Sequence, residues 1–156
     1  MNGGGTDDTT ILQAVLDRAA RGVSVHLVID GTALVSGLNA CGNTTIECVA
    51  GGGLYLKDGS NRAIIRNAHR SRDAITDEHI TIRGCFLNGT RYVKTVRPPL
   101  YLEGMKFEIP REPDGTYISG LQFFGVNDLT IENTTLWHAR SFSIWVANAL
   151  MRAVSP

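Results

Sequence analysis

Ile80-Thr81-Ile82-Arg83-Gly84 is the stretch on which the reading of this chain turns, because its pattern occurs three more times. Thr44-Thr45-Ile46-Glu47-Cys48, Ala63-Ile64-Ile65-Arg66-Asn67 and Leu129-Thr130-Ile131-Glu132-Asn133 have the same form: two apolar positions around a middle one, then a charged residue, then a small or amide residue. The Ile–charged–small triplets begin at 46, 65, 82 and 131, giving intervals of 19, 17 and 49 residues. Short strands recurring at about 20 residues, with Gly and Asn at the corners, predict a solenoid of β-coils. A Greek-key sandwich, with strands every 8–12 residues or so and hairpin turns, is the alternative. Asp-Gly, a hairpin-type dipeptide, occurs only at Asp30-Gly31, Asp58-Gly59 and Asp114-Gly115, and this favours the solenoid.

N-terminal to the repeat, Ile11, Leu12, Val15, Leu16, Ala19 and Ala20 recur at helical spacing, which predicts a helix over about 8–21 docked by one apolar stripe. Asp7 and Asp8 suit its positive end, Thr10 with Gln13 could form a capping box, and Gly22 is placed to stop it. Val23, Val25, Leu27 and Ile29 then alternate as a strand. Asp30-Gly31 reads as a turn, and Ala33-Leu34-Val35 as a second short strand. Two stretches interrupt the repeat. Residues 68–78 carry His69, Arg70, Arg72, Asp73, Asp77 and Glu78 and read as surface loop. Residues 90–120 hold four of the five prolines, and Leu100–Ile109 within them could form an extended arm. Long excursions on a rigid coil are where binding is often built; a solvated insertion is the competing reading. The expected organisation is one domain over 1–156: capping turn and helix at 1–22, first coils at 23–89, excursion at 90–120, a further coil at 121–148 and a tail at 149–156.

Composition excludes several classes. Fifteen Lys+Arg balance fifteen Asp+Glu, so no net field draws in nucleic acid or an anionic membrane. No apolar run approaches the roughly 20 residues of a membrane span. Met1-Asn2-Gly3-Gly4-Gly5 lacks the apolar core of a signal peptide and reads as a boundary cut, so the compartment stays open. Cys41, Cys48 and Cys85 are odd in number with no CxxC pair, which predicts three free buried thiols, with one disulfide as the alternative. His26, His69, His79 and His138 share no ligand spacing, so neither a metal nor any cofactor is expected.

The segment Asn2-Gly3-Gly4-Gly5-Thr6-Asp7-Asp8-Thr9, with Ile11-Leu12-Gln13-Ala14, resembles the "GDGxTDDTxAxQxA" opening of the pectate-lyase-like β-helix superfamily. In that group it forms a turn and a helix that plugs one end of the solenoid. The strand that usually precedes it is missing here. Ser36-Gly37 and Asn43-Thr44-Thr45-Ile46-Glu47 resemble the "SG…NTTI" of the first coil. Arg66-Asn67-Ala68-His69, Leu87-Asn88-Gly89 and Phe123-Phe124-Gly125-Val126-Asn127-Asp128 are similar to bacterial polygalacturonase-like glycoside hydrolases of family 28. The resemblance implies an all-β, right-handed parallel β-helix with a short capping helix, incomplete because further coils would follow. It implies a secreted or cell-surface parent that degrades pectin-like polysaccharide such as galacturonan.

That family's catalytic acids lie in later coils, in Asn-x-Asp-Gly and x-Asp-Asp motifs. This sequence has no Asn-x-Asp-Gly, and its Asp7-Asp8 pair falls in the N-terminal plug. No catalytic residue is carried over. The expectation is an N-terminal part that is inactive by itself and self-associates through an uncapped C-terminal coil; a non-catalytic carbohydrate-binding or virion-spike module is the alternative. Of the acidic residues Asp73, Asp77, Glu78, Glu103, Glu108, Asp114, Asp128 and Glu132, the pairs Asp77/Glu78 and Asp128/Glu132 flank strands, where solvated strand ends are the commoner role. For stacking on sugar rings the candidates are Trp145, Trp137, Tyr92 and Tyr101, with Tyr117 beside them. Alternation with Phe142, Ile144 and Val146 puts Trp145 on the outer face of its strand.

Overall fold

A computed structural model describes residues 5–89, 111–112, 114–139 and 142–151. These are mostly β, with one short α-helix. The order is α1 (Thr9–Leu16), a 3₁₀ turn (Ala19–Arg21), β1 (Val25–Val35), β2 (Leu38–Ala40), β3 (Thr44–Leu56), β4 (Ile65–Asn67), β5 (Asp77–Arg83), β6 (Phe86–Asn88), β7 (Leu121–Glu132), β8 (Thr135–Trp137) and β9 (Ile144–Met151). Every strand pairing is parallel, and the sheet does not close. The only antiparallel contact among the described residues is the Arg111–Tyr117 bridge around Asp114-Gly115.

The strands form three ladders. In the first, Leu27, Ile46, Ile82 and Ile131 are in register on β1, β3, β5 and β7. The polar position outside them stacks as His26, Thr45, Thr81 and Thr130. The charged position stacks as Glu47, Arg83 and Glu132, alternating in sign, and opposite charges directly across strands attract. Glu47 accepts from Arg83 at 2.7 Å and from His26 at 2.6 Å. The Arg83 bond, chiefly, holds its carboxyl below the usual range. In the second ladder, Ala33, Leu54, Leu87 and Leu136 line up on β1, β3, β6 and β8. In the third, Leu38, Ile65, Leu121 and Ile144 line up on β2, β4, β7 and β9. Ile46, Leu54, Ile65, Ile82, Leu87 and Leu121 are completely buried, so the inward positions of all three ladders share one core.

The ladders correct the repeat read from the sequence. Ala63–Asn67 does not stack with the other three segments: Ile65 pairs with Leu38 and Leu121, whereas Ile46, Ile82 and Ile131 share a different ladder. The return from Thr44 to its partner Ile80 takes 36 residues, not about 20, and the next, to Leu129, takes 49. β2, β4 and residues 80–83 of β5 share one alternation of buried and half-buried positions, so strands of two ladders look alike one after another in the sequence.

The single strand read over 23–29 runs on through Asp30-Gly31 to Val35. It bends where Gly31 faces the three residues Ala50–Gly52 of β3. Gly52 is obligatory at this corner, since a Cβ there would stand 2.7 Å from the carbonyl oxygens of both Gly31 and Ile29. Residues 68–78 are not all surface loop, because β5 begins at Asp77, which is buried.

The helix is shorter than expected. Leu16 and Ala19 are buried and Leu12 and Val15 half-buried, but Ile11 is 71% exposed and Ala20 is exposed too. The Thr10–Gln13 capping box is not formed. Asp7 instead accepts from the Thr9 amide at 3.0 Å and from the hydroxyls of Thr9 and Ser36, while Lys57 reaches it at 3.2 Å. The Ser36 and Thr9 hydrogen bonds hold the Asp7 carboxyl far below the ordinary carboxylate range. Gln13 bonds the backbone of Asn39 in both directions, at 2.8 and 3.0 Å. Gly22 ends the turn in the left-handed region, as expected.

The expectation of three free thiols is overturned. Cys48 and Cys85 form a disulfide, and only Cys41 is free and buried. The reason is register: Cys48 follows Glu47, which faces Arg83, so Cys48 comes level with Gly84 and next to Cys85. Burial, chiefly, raises the Cys41 thiol pKa.

Candidate functional site

The outward positions of the third ladder carry Asn39, Arg66, Gln122 and Trp145 in register. The residues on either side of them, Leu38 and Ala40 or Leu121 and Phe123, point into the core, so alternation leaves these four on the opposite face. Two connecting segments supply the rest: the loop from Ala68 to Thr76 and the turn from Arg111 to Tyr117.

At the base of this face lies a buried charge network. The Glu112 side chain is fully buried, accepts from the Ala63 amide at 2.8 Å, is ion-paired to Arg66 and lies 3.7 Å from Arg70. A buried carboxylate is tolerable only with such partners. Burial lowers the Arg66 guanidinium pKa, and Glu112 opposes that shift. Arg66 also donates to Asn39 at 2.8 Å. Arg70 donates to the buried Gln122 and to Asp114. Burial alone would raise the Asp114 carboxyl, but the Thr116 hydroxyl and amide, with Arg70, outweigh it and set it at about 2.

Above the network sit aromatic rings. Trp145 lies 5.0 Å from Phe124 in an edge-to-face arrangement, 5.6 Å from Phe142 and 5.7 Å from Tyr117. The Arg72 guanidinium stands 5.2 Å from Phe124 and 5.0 Å from Trp145, within cation–π range of both. Arg111 stacks at 4.2 Å over Tyr117. Trp145 is therefore on the outer face, as alternation predicts, but it is half-buried in this cluster, and Tyr117 and Phe142 share its surroundings. Phe142 does not alternate inward: its ring packs on the outer face and is 47% exposed.

Trp137 lies elsewhere. It is 56% exposed on the outside of the second ladder, in a row with Phe86 and Tyr55 at centroid spacings of 5.8 and 5.9 Å. The fold does not bring the two tryptophans together. Tyr92, Tyr101, Glu103 and Glu108, and the arm over 100–109, lie outside the described residues.

The strand-flanking acids have other partners. Asp77 is saturated by hydrogen bonds, His79 contacts Asp128 at 2.8 Å, and Glu132 faces Arg83. Asn67 is completely buried, and its side chain bonds both the amide and the carbonyl of Phe124 at 2.9 Å. The sequence reading missed Glu112 as a site residue, although an acid next to Arg111, inside an excursion and opposite an Arg-rich loop, was a usable signal. Among the described residues no group of three or more His, Cys, Asp or Glu could hold a metal ion, and no helix is long and apolar enough to cross a membrane.

No protein-family model matches the chain, and neither a curated protein nor a solved structure matches it significantly.

Proposed function

We propose that this chain forms the first coils of a right-handed parallel β-helix, and that it is the polysaccharide-contacting N-terminal part of a pectin-degrading glycoside hydrolase, without hydrolytic activity of its own. The architecture of the proposal rests on three parallel ladders around one core, with a helix docked beside β1 and β2 through Leu16 and Gln13. The pectin-like substrate rests on the resemblance of the motifs at Asn2–Ala14, Arg66–His69 and Phe123–Asn133. The observation that carries the binding role is the outer face bearing Trp145: aromatic rings next to guanidinium groups, the chemistry that suits a sugar ring bearing a carboxylate. Hydrolysis needs two carboxyl groups across the scissile bond, roughly 5–9.5 Å apart. Here Glu112 and Asp114, the acids of this face, are engaged by Arg66 and Arg70.

Tryptophan fluorescence of the chain titrated with oligogalacturonate tests this. The expected result is saturable binding that Trp145→Ala weakens about tenfold, which corresponds to roughly 1.4 kcal/mol, with release of reducing ends at background. Binding indifferent to Trp145→Ala, or turnover above background, would overturn the reading.

A further inference from the structure

Asp77 and His69 form a titratable pair outside the charge network. Asp77, with its side chain 3% exposed, accepts four hydrogen bonds: from the Gly42 amide at 3.0 Å, the Asn67 amide nitrogen at 2.9 Å, the His69 backbone at 3.0 Å and His69 Nδ1 at 3.0 Å. The first three partners can only donate, so both carboxylate oxygens act as acceptors, and the imidazole meets them with Nδ1–H. His69 itself is 60% exposed, and Asp77 is the only charged side chain bonded to its ring among the described residues. A buried acid thus fixes the tautomer of an exposed ring and leaves Nε2 directed away from it.

The loop that carries His69 is pinned to the face described above. The His69 carbonyl accepts from Asn67, whose side chain also grips Phe124. The Ser71 amide donates to the Phe124 carbonyl at 3.3 Å, and Arg70 and Arg72 reach Gln122 and the Trp145 ring. The loop that carries His69 therefore borders the Trp145 face through Arg70 and Arg72.

We propose that His69 is a proton-gated specificity residue of that face, with Asp77 as its positioning residue; this rests on the sugar-binding reading above. Neutral His69 presents only a lone pair at Nε2, which accepts from a sugar hydroxyl and repels a carboxylate. Protonated His69 presents an N–H and a positive charge, which hold a sugar carboxylate in place. Affinity for an acidic glycan is then higher with His69 protonated than with it neutral, while affinity for a neutral glycan of the same length does not change.

The test compares oligogalacturonate with oligogalactan on the whole chain at about pH 8 and about pH 5, the interval in which an imidazole changes charge. The expected gain for oligogalacturonate at the lower pH is about two- to five-fold, the size of an exposed ion pair, with oligogalactan flat and the gain abolished in His69→Gln. Nitrogen-correlated NMR of the unliganded wild-type chain should show Nδ1 protonated and Nε2 bare at the higher pH. An equal gain in His69→Gln, or the opposite tautomer, overturns this inference and leaves the sugar-binding reading standing. No oligogalacturonate binding at either pH overturns both.

Discussion

The two tryptophan-bearing outer faces are built on identical strand physics and differ in almost everything else. The face with Trp137 is a bare row of rings, Tyr55, Phe86 and Trp137, on the outside of β3, β6 and β8. Its polar company is modest, such as Asn88 bonded to His138 at 3.0 Å. The strands beneath approach closely, since a Cβ on Gly53 would lie 2.0 Å from the Phe86 carbonyl oxygen, and the Cys48–Cys85 disulfide staples them from the core side. The face with Trp145 is wired. Glu112, Arg66, Arg70 and Gln122 are buried or half-buried beneath the rings and fully engaged with one another. An isolated ring row can be altered without disturbing the fold; a buried charge network cannot.

The sharpest test of that contrast is Glu112→Ala. It leaves Arg66 and Arg70 without their shared carboxylate and the Ala63 amide without an acceptor. Breaking a buried pair in this way costs about 3–5 kcal/mol, so chemical denaturation should show a loss of that order. A loss under about 1 kcal/mol would mean that water reaches the network and that the two faces are energetically alike.

The staple under the other face is next. Its cysteines are 37 residues apart in sequence, and closing a loop of that length stabilises the chain by up to about 4 kcal/mol in the chain-entropy view. Reductant should therefore lower the melting temperature of the wild type and leave a Cys48→Ser/Cys85→Ser double variant unchanged. Thiol titration of the denatured, unreduced chain should find Cys41 alone.

A smaller effect separates both faces from the helix that docks beside β1. The Asp7 carboxyl is held below its unfolded value by Ser36 and Thr9. For a carboxylate with a depressed folded pKa, the stabilisation is fully present above the unfolded value, near pH 4, and is lost as pH falls further. Asp7→Asn should cost about 1–2 kcal/mol at neutral pH and flatten the acid limb of the stability curve. An acid limb unchanged by Asp7→Asn would assign it to other carboxylates.

The smallest change is expected from Trp137→Ala. With more than half of the residue exposed and no buried polar partner, its loss should cost under about 1 kcal/mol and leave oligogalacturonate binding at Trp145 unaltered. A loss of binding comparable to that of Trp145→Ala would erase the distinction between the faces.

The sequence alone determined the local facts: an amphipathic helix, a stop at Gly22, strands of period two, and Ile46, Ile82 and Ile131 facing the core. These follow from the geometry of a single element, in which spacing along the chain sets which side chains share a face. It also placed Trp145 outward, because alternation needs no knowledge of neighbours. Only the tertiary structure decided which strands lie side by side. That choice moved Ile65 into a ladder with Leu38 and Leu121, brought Cys48 level with Gly84 and beside Cys85, and buried Glu112 under Arg66 and Arg70. Periodicity carries no register between distant strands, and the partners of a buried acid are chosen by loops whose paths depend on that register. The helix cap failed for the same reason. A capping box is a bargain within one turn, but Gln13 found the backbone of Asn39 and Asp7 found Ser36, contacts that exist only once the helix is docked.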